Sequence, residues 1–199
     1  MTFEGKSVII TGAGKGIGRA CARVMAARGA EVVALTRTQG DLDSLRAEIG
    51  GRSIRVDLSD PEASRAAMKE AGTCDFLINS AGINVLESVL DMTEAGYDAV
   101  LGINLKGALI CCQEFARARV AAGGGGAMVN ITSIAGHRGF QDHLCYAASK
   151  AGVNGFIRNA ALELAPKGIR VNGVEPGMIR SPAMTNLGDA GLSQRIADH

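Results

Sequence analysis

The chain contains no tryptophan, two tyrosines, five phenylalanines and four prolines in 199 residues. It also lacks an excess of either charge, with 21 Lys and Arg against 20 Asp and Glu and a formal net charge of +1. Because the two signs are interspersed, the chain as a whole does not steer toward nucleic acid, anionic lipid or polyanionic substrates, and any phosphate recognition must be local. No run approaches the roughly 18 consecutive apolar residues of a membrane span. The start, Met1-Thr2-Phe3-Glu4-Gly5-Lys6, has neither part of a secretory signal. The expectation is a cytoplasmic protein with no membrane and no nucleic-acid partner. Cysteine is odd in number, with Cys21, Cys74, Cys111, Cys112 and Cys145 forming no Cys-x-x-Cys pair. Neither a disulfide framework nor a metal site follows, so the cysteines read as free buried thiols.

What the chain does have is glycine, 27 residues of it, and a 47% apolar share. A chain of this length buries roughly 70% of its unfolded surface, enough for one core, so residues 1–199 are expected to form a single domain. Short β-branched runs, apolar on both faces, read as buried parallel strands at Ser7–Thr11, Glu31–Thr36, Ser53–Val56, Phe76–Asn79, Ala127–Ile131 and Arg170–Val174. Amphipathic stretches near 16–28, 41–49, 61–71, 93–121 and 145–164 read as helices, the third opening with Asp60 as N-cap and Pro61 at the first helical position. Alternation of the two predicts an α/β fold, a doubly wound parallel sheet between helical layers. The run Gly123–Gly126 reads as a flexible surface loop, and the pattern fades over Pro182–His199.

Directly after the first strand come Gly12, Gly14, Lys15, Gly16, Ile17 and Gly18, opening the first helix. Glycines without Cβ let backbone approach a pyrophosphate, which then faces the N–H groups and positive dipole end of that helix. The strand-turn-helix setting points to a dinucleotide. An acid at the end of the second strand would accept hydrogen bonds from adenosine ribose hydroxyls. Here that strand ends in Arg37, whose fork geometry suits a 2′-phosphate, and Lys15 adds a second cation. Together they favour NADP(H) over NAD(H), unless Arg37 is only a solvated strand-end charge.

Tyr146 and Lys150 stand four apart at the start of a helix, so one face carries both. Ser133 follows the fifth strand, where a doubly wound sheet presents strand ends to its crevice. A phenol is a poor acid-base group at neutral pH, but a neighbouring Lys⁺ and an oxidised nicotinamide both favour phenolate.

These residues, with Thr11-Gly-x-x-x-Gly-x-Gly18, Asn79-Ser-Ala-Gly82, Asn104 and Pro176-Gly177, resemble the short-chain dehydrogenase/reductase family over about residues 5–181. Thr11–Arg19 and Thr36–Leu45 resemble its dicarbonyl/L-xylulose reductase branch. The resemblance implies a Rossmann-type fold and interconversion of a carbonyl and a secondary alcohol by hydride transfer. It implies a catalytic set in which Tyr146 donates the proton, Lys150 binds nicotinamide-ribose hydroxyls and tunes the phenol, Ser133 polarises the carbonyl and Asn104 holds a relay water. It assigns Asp57 and Leu58 to the adenine, Asn79, Ala81 and Gly82 to the nicotinamide side, and Pro176, Gly177, Ile179 and Ser181 to the border of the ring. His143, three residues before the tyrosine, is placed at the substrate. A small-molecule carbonyl or alcohol is the implied partner, and a homodimer or homotetramer the implied assembly.

Two departures stand out. Ser80 replaces a frequent asparagine, outside the chemistry. Family members also continue through a lid, another helix and a seventh strand, so the expectation is either a chain cut short at its C-terminal end or an assembly that covers the exposed edge of the sixth strand. Two other readings remain open. One is a 3-oxoacyl-thioester reductase, with Arg117, Arg119 and Arg138 as cations for an acidic carrier protein. The other is a nucleotide-binding protein without turnover.

Overall fold

Successive residues of the first strand fall into different cores. Val8 and Ile10 pack with Ala22, Val32, Ala34, Leu42 and Leu45 on one side, while Ile9 packs with Val33, Leu35, Met68, Leu77, Phe115 and Met128 on the other. A strand buried on both faces needs cover on both, which explains why its sequence is apolar throughout instead of alternating. The computed structural model describes residues 2–179. Ser181, the stretch Pro182–His199 and any further strand lie outside those residues.

Six parallel strands, β1 (Ser7–Thr11), β2 (Glu31–Thr36), β3 (Arg52–Arg55), β4 (Phe76–Asn79), β5 (Gly126–Ile131) and β6 (Ile169–Val174), form one sheet. Their order is β3-β2-β1-β4-β5-β6. Six helices connect them: α1 (Gly16–Ala27), α2 (Gln39–Ile49), α3 (Pro61–Ala71), α4 (Glu94–Leu101), α5 (Ala108–Ala121) and α6 (Leu144–Leu164). Residues of α1 and α2 belong to one core, those of α3, α5 and α6 to the other, giving three layers. This is the expected doubly wound, Rossmann-like fold. The chain winds outward through β2 and β3, then returns to place β4 on the far side of β1, with Thr11 opposite Asn79. At such a reversal a doubly wound sheet carries its ligand crevice at the strand C-termini, and here Gly12 after β1 packs against Ala81 after β4.

The strand bounds agree with the sequence reading to within one residue, and Asp60 caps α3 as expected, its Oδ1 accepting from Glu62 N at 2.9 Å and Ala63 N at 3.1 Å. Two expectations are corrected. The stretch 93–121 is interrupted by a π-helical turn, Gly102–Gly107, between α4 and α5. The glycine run is pinned at several points: Arg119 donates to Gly124 O and Gly125 O, Gly125 N donates to Lys167 O, and Gly126 begins β5. Arg119 is thereby withdrawn from the surface and unsuited to docking a carrier protein. The helical stretch Glu94–Ala121 has the length and apolarity of a membrane span, yet half of its most apolar window is buried inside the protein, as in a core helix.

Candidate active site

The glycine loop turns from β1 into α1 with almost no space for side chains. A Cβ on Gly12 would come within 2.8 Å of Ala81 Cα, and one on Gly14 within 2.8 Å of Asp41 Cβ. One on Gly18 would collide with the Gly12 carbonyl. The loop residue before α1, Lys15, is extended and makes no side-chain cap, and the first turn holds no acid. The leading N–H groups of α1, at Gly16, Ile17 and Gly18, thus have no side-chain acceptor. A helix end left uncapped beside a crevice fits a pyrophosphate, which brings both charge and acceptors. Arg19 braces the loop, donating to Gly14 O at 3.2 Å and to Glu48 Oε2 at 2.8 Å.

Both cations expected at the 2′-phosphate stand at this end of the sheet, and each faces an acid. Lys15 Nζ lies 3.5 Å from Asp41 Oδ2, and Arg37 Nη1 lies 3.6 Å from Asp57 Oδ2. Both cations are largely exposed, so these pairs are weak and exchangeable. Asp57 turns its other oxygen to Ser59, accepting from N at 3.0 Å and Oγ at 2.7 Å. These bonds, with Arg37 beside it, hold its carboxyl below the usual range. The Leu58 side chain is buried in the core, which leaves its backbone for any ligand contact.

Asn79 has a role the sequence reading did not assign. Its Oδ1 accepts from Thr11 Oγ1 at 2.8 Å, and its Nδ2 donates to Ala108 O at 3.0 Å and Asn130 Oδ1 at 3.2 Å. It ties β1, β4, β5 and α5 together beneath the crevice. Thr11 Oγ1 in turn accepts from Ser80 N and Ala81 N, fixing the turn after β4. The signal available in the sequence was three polar residues, Thr11, Asn79 and Asn130, ending or nearly ending strands that are otherwise apolar.

The four catalytic candidates converge. Asn104, in the π-helical turn, is 1% exposed and grips the backbone of Ile83 in both directions, Oδ1 accepting from N and Nδ2 donating to O, each at 2.8 Å. Its Nδ2 also reaches Ser149 Oγ at 3.2 Å. Gly82 lies between Asn104 and Lys150, where a Cβ would stand 3.2 Å from Asn104 Oδ1 and 3.7 Å from Lys150 Nζ. Lys150 is buried and donates from Nζ to Ile131 O at 2.9 Å. Its pKa falls from 10.5 to about 8 because burial disfavours the ammonium. Ser133 caps a 3-10 turn, Ile134–Gly136, its Oγ accepting from Ala135 N at 3.1 Å.

Tyr146 differs from expectation in one respect. Burial pushes its phenol above the ordinary value, while the Ser133 hydroxyl hydrogen-bonds it and works the other way. In the protein by itself desolvation therefore outweighs the lowering expected from the neighbouring lysine, whose Nζ sits 5.6 Å from the ring centroid. His143 precedes α6 and is half-buried, its Nδ1 2.6 Å from Gln141 O and its ring edge-on to Tyr146 at 6.0 Å. Pro176 and Gly177 lie beside the serine turn, with Ile134 N donating to Pro176 O at 3.2 Å. Ile179 is exposed at the end of the described chain. Cys145, next to Tyr146, is buried, and its thiol is pushed up by burial and by the Glu87 carboxylate, which suits packing over nucleophilic chemistry.

The family described as short chain dehydrogenase matches residues 6–191. L-xylulose reductase of Bos taurus is 40% identical over 183 residues, 92% of this chain and 75% of that one. Carbonyl reductase [NADPH] 2 of Sus scrofa is 37% identical over 180 residues, covering 90% of this chain and 74% of that one. Among solved structures, levodione reductase superposes with a TM-score of 0.92 at 30% identity, covering 98% of this chain and 83% of that one.

Proposed function

The chain belongs to the short-chain dehydrogenase family, a nicotinamide-dependent oxidoreductase of carbonyls and alcohols, and from that premise we propose that it is an NADP(H)-dependent reductase of a ketose or α-dicarbonyl, with Tyr146 as the proton donor. The observation that carries the reading is the convergence of Ser133, Tyr146, Lys150 and Asn104 on the crevice that opens beside the uncapped start of α1.

Gly12, Gly14, Gly16, Ile17 and Gly18 bind the pyrophosphate through backbone. Arg37 and Lys15 exchange their carboxylate partners for the 2′-phosphate. Asp57 and Leu58 border the adenine, Ala81 and Gly82 the nicotinamide side, and Pro176, Gly177 and Ile179 the ring. When bound, the nicotinamide supplies the hydride. Ser133 Oγ and the Tyr146 hydroxyl orient the carbonyl oxygen by hydrogen bonds, and Tyr146 then passes its proton to that oxygen. Lys150, held close to its own titration point, binds ribose hydroxyls and shifts the phenol downward, against the effect of burial. A water held at Asn104 returns the proton from solvent. His143, beside the Tyr146 ring, contacts the substrate. The same reading makes the chain one cytoplasmic domain that self-associates as a homodimer or homotetramer.

NADPH oxidation with L-xylulose and with diacetyl, alongside fluorescence titration with NADPH and NADH, tests this. Turnover with tighter NADPH binding is expected. NADPH binding without turnover of either carbonyl would favour a nucleotide-binding protein instead, and tighter NADH binding would overturn the cofactor assignment.

A further inference from the structure

Strand pairing between β5 and β6 ends at Ile131 opposite Val174, and Thr132 N still donates to Val174 O at 2.8 Å. Beyond this point one chain carries Ser133 and the other leads into Pro176 and Gly177. One backbone bond continues between them, Ile134 N to Pro176 O. A side-chain contact then follows: His137 Nε2 lies 2.7 Å from Glu175 Oε1. So short an approach to a carboxylate oxygen assigns the ring proton to Nε2. From beneath, α6 packs Asn154 against the ring: its Nδ2 lies 3.2 Å from the same ring nitrogen, a packing contact and not a second hydrogen bond while that nitrogen donates to Glu175, and would be 2.8 Å from a Cβ on Gly136. Three elements thus meet at His137, and none of the contacts belongs to the catalytic set.

We propose that His137 and Glu175 are positioning residues that latch the Ser133 turn to the Pro176–Gly177 segment, fixing the serine hydroxyl relative to the nicotinamide border. The proposal rests on the function assigned above, since that gives the two segments their roles. The pair is well exposed, at 55% and 37% for the two side chains. Exposed pairs of this kind add little to global stability. Their effect is local: they hold two strand ends that backbone pairing no longer holds, and misplacement of a catalytic group by a fraction of an ångström is costly in rate.

The test uses His137→Ala, Glu175→Ala and Glu175→Gln, the last keeping an acceptor for Nε2–H. Amide hydrogen exchange of residues 132–137 and 174–177 is followed in the protein without cofactor, and kcat and KM are measured with NADPH and L-xylulose. The two alanine variants are expected to exchange about fivefold faster in these segments alone, with Tm unchanged. Their kcat should fall about tenfold with KM nearly constant, as for misplaced chemistry, and Glu175→Gln should restore most of both. Unchanged exchange in both alanine variants, or a loss of kcat that Glu175→Gln shares in full, overturns the latch. A wild-type protein inactive with this ketose overturns the substrate reading instead, and the exchange measurement alone then decides the latch.

Discussion

Lys150 Nζ stands 5.6 Å from the centre of the Tyr146 ring, one turn along α6, and donates a hydrogen bond to the Ile131 carbonyl at 2.9 Å. The lysine is thus held by the end of β5, next to the serine that the same strand delivers. The phenol and the ammonium are both destabilised as ions by burial, so each is responsive to a charged ligand placed between them.

Replacing Tyr146 by Phe removes the proposed proton donor and keeps the ring. The kcat is expected to fall by about 10²- to 10⁴-fold, with NADPH affinity within about twofold of wild type because the hydroxyl is not needed to hold the nucleotide. Steady-state kinetics and fluorescence titration check the two parts separately. Full activity in this variant would end the mechanism.

The folded protein holds the Lys150 proton less tightly than the unfolded chain, with the pKa lowered from 10.5 to about 8. Stability is therefore least below about pH 8 and rises as pH climbs from there toward 10.5, the whole effect being on the order of 3 kcal/mol. Lys150→Met removes the buried ion and its bond to Ile131. At pH 7 it should be inactive yet about 1–2 kcal/mol more stable, and the difference from wild type should shrink as pH rises. Urea unfolding of the two proteins from pH 7 to 10 measures that difference, and parallel profiles would refute it.

Arg37→Ala should weaken NADPH binding by about tenfold or more and leave NADH binding nearly unchanged, since only the former offers a 2′-phosphate to the guanidinium. The lost contact with Asp57 is an exposed pair and should alter stability by less than about 1 kcal/mol. Equal losses for both nucleotides would show that Arg37 does not read the phosphate.

Asn79→Ala breaks the buried tie among β1, β4, β5 and α5 and leaves the Thr11 O–H without its acceptor. A loss of about 3–4 kcal/mol is expected, seen as a lower urea midpoint at unchanged m-value. Ser80→Asn, one residue on, should change stability by no more than about 0.5 kcal/mol.

The sequence made the strands legible because burial on both faces leaves an unbroken apolar signature, as in Ser7–Thr11 and Glu31–Thr36. It showed the glycine loop, Tyr146 and Lys150 because each depends on local spacing. It did not show the π-helical turn, since one added residue in a long apolar helix leaves composition untouched. Nor did it show Asn79 as a tie or Arg37 facing Asp57, because those partners lie far along the chain or across the sheet; Arg119 as the clasp of the glycine run went unread because a glycine-rich stretch gives no sign of which side chain binds its carbonyls. The direction of the phenol's shift depended on burial, which spacing does not report.

The wide turn at Gly102–Gly107 works as a change of phase. Each residue advances an α-helix by about 100°, so an extra one rotates everything beyond it by that angle. Val100 is buried before the turn, and Cys111, Cys112 and Phe115 are buried after it. In between, Asn104 is free to face Ile83 instead of the sheet. Deleting a single residue there would swing Phe115 and its neighbours out of the core or pull Asn104 off the crevice. The placement of Asn104 and the packing of the core are therefore geared together in one helix, and neither can drift without the other.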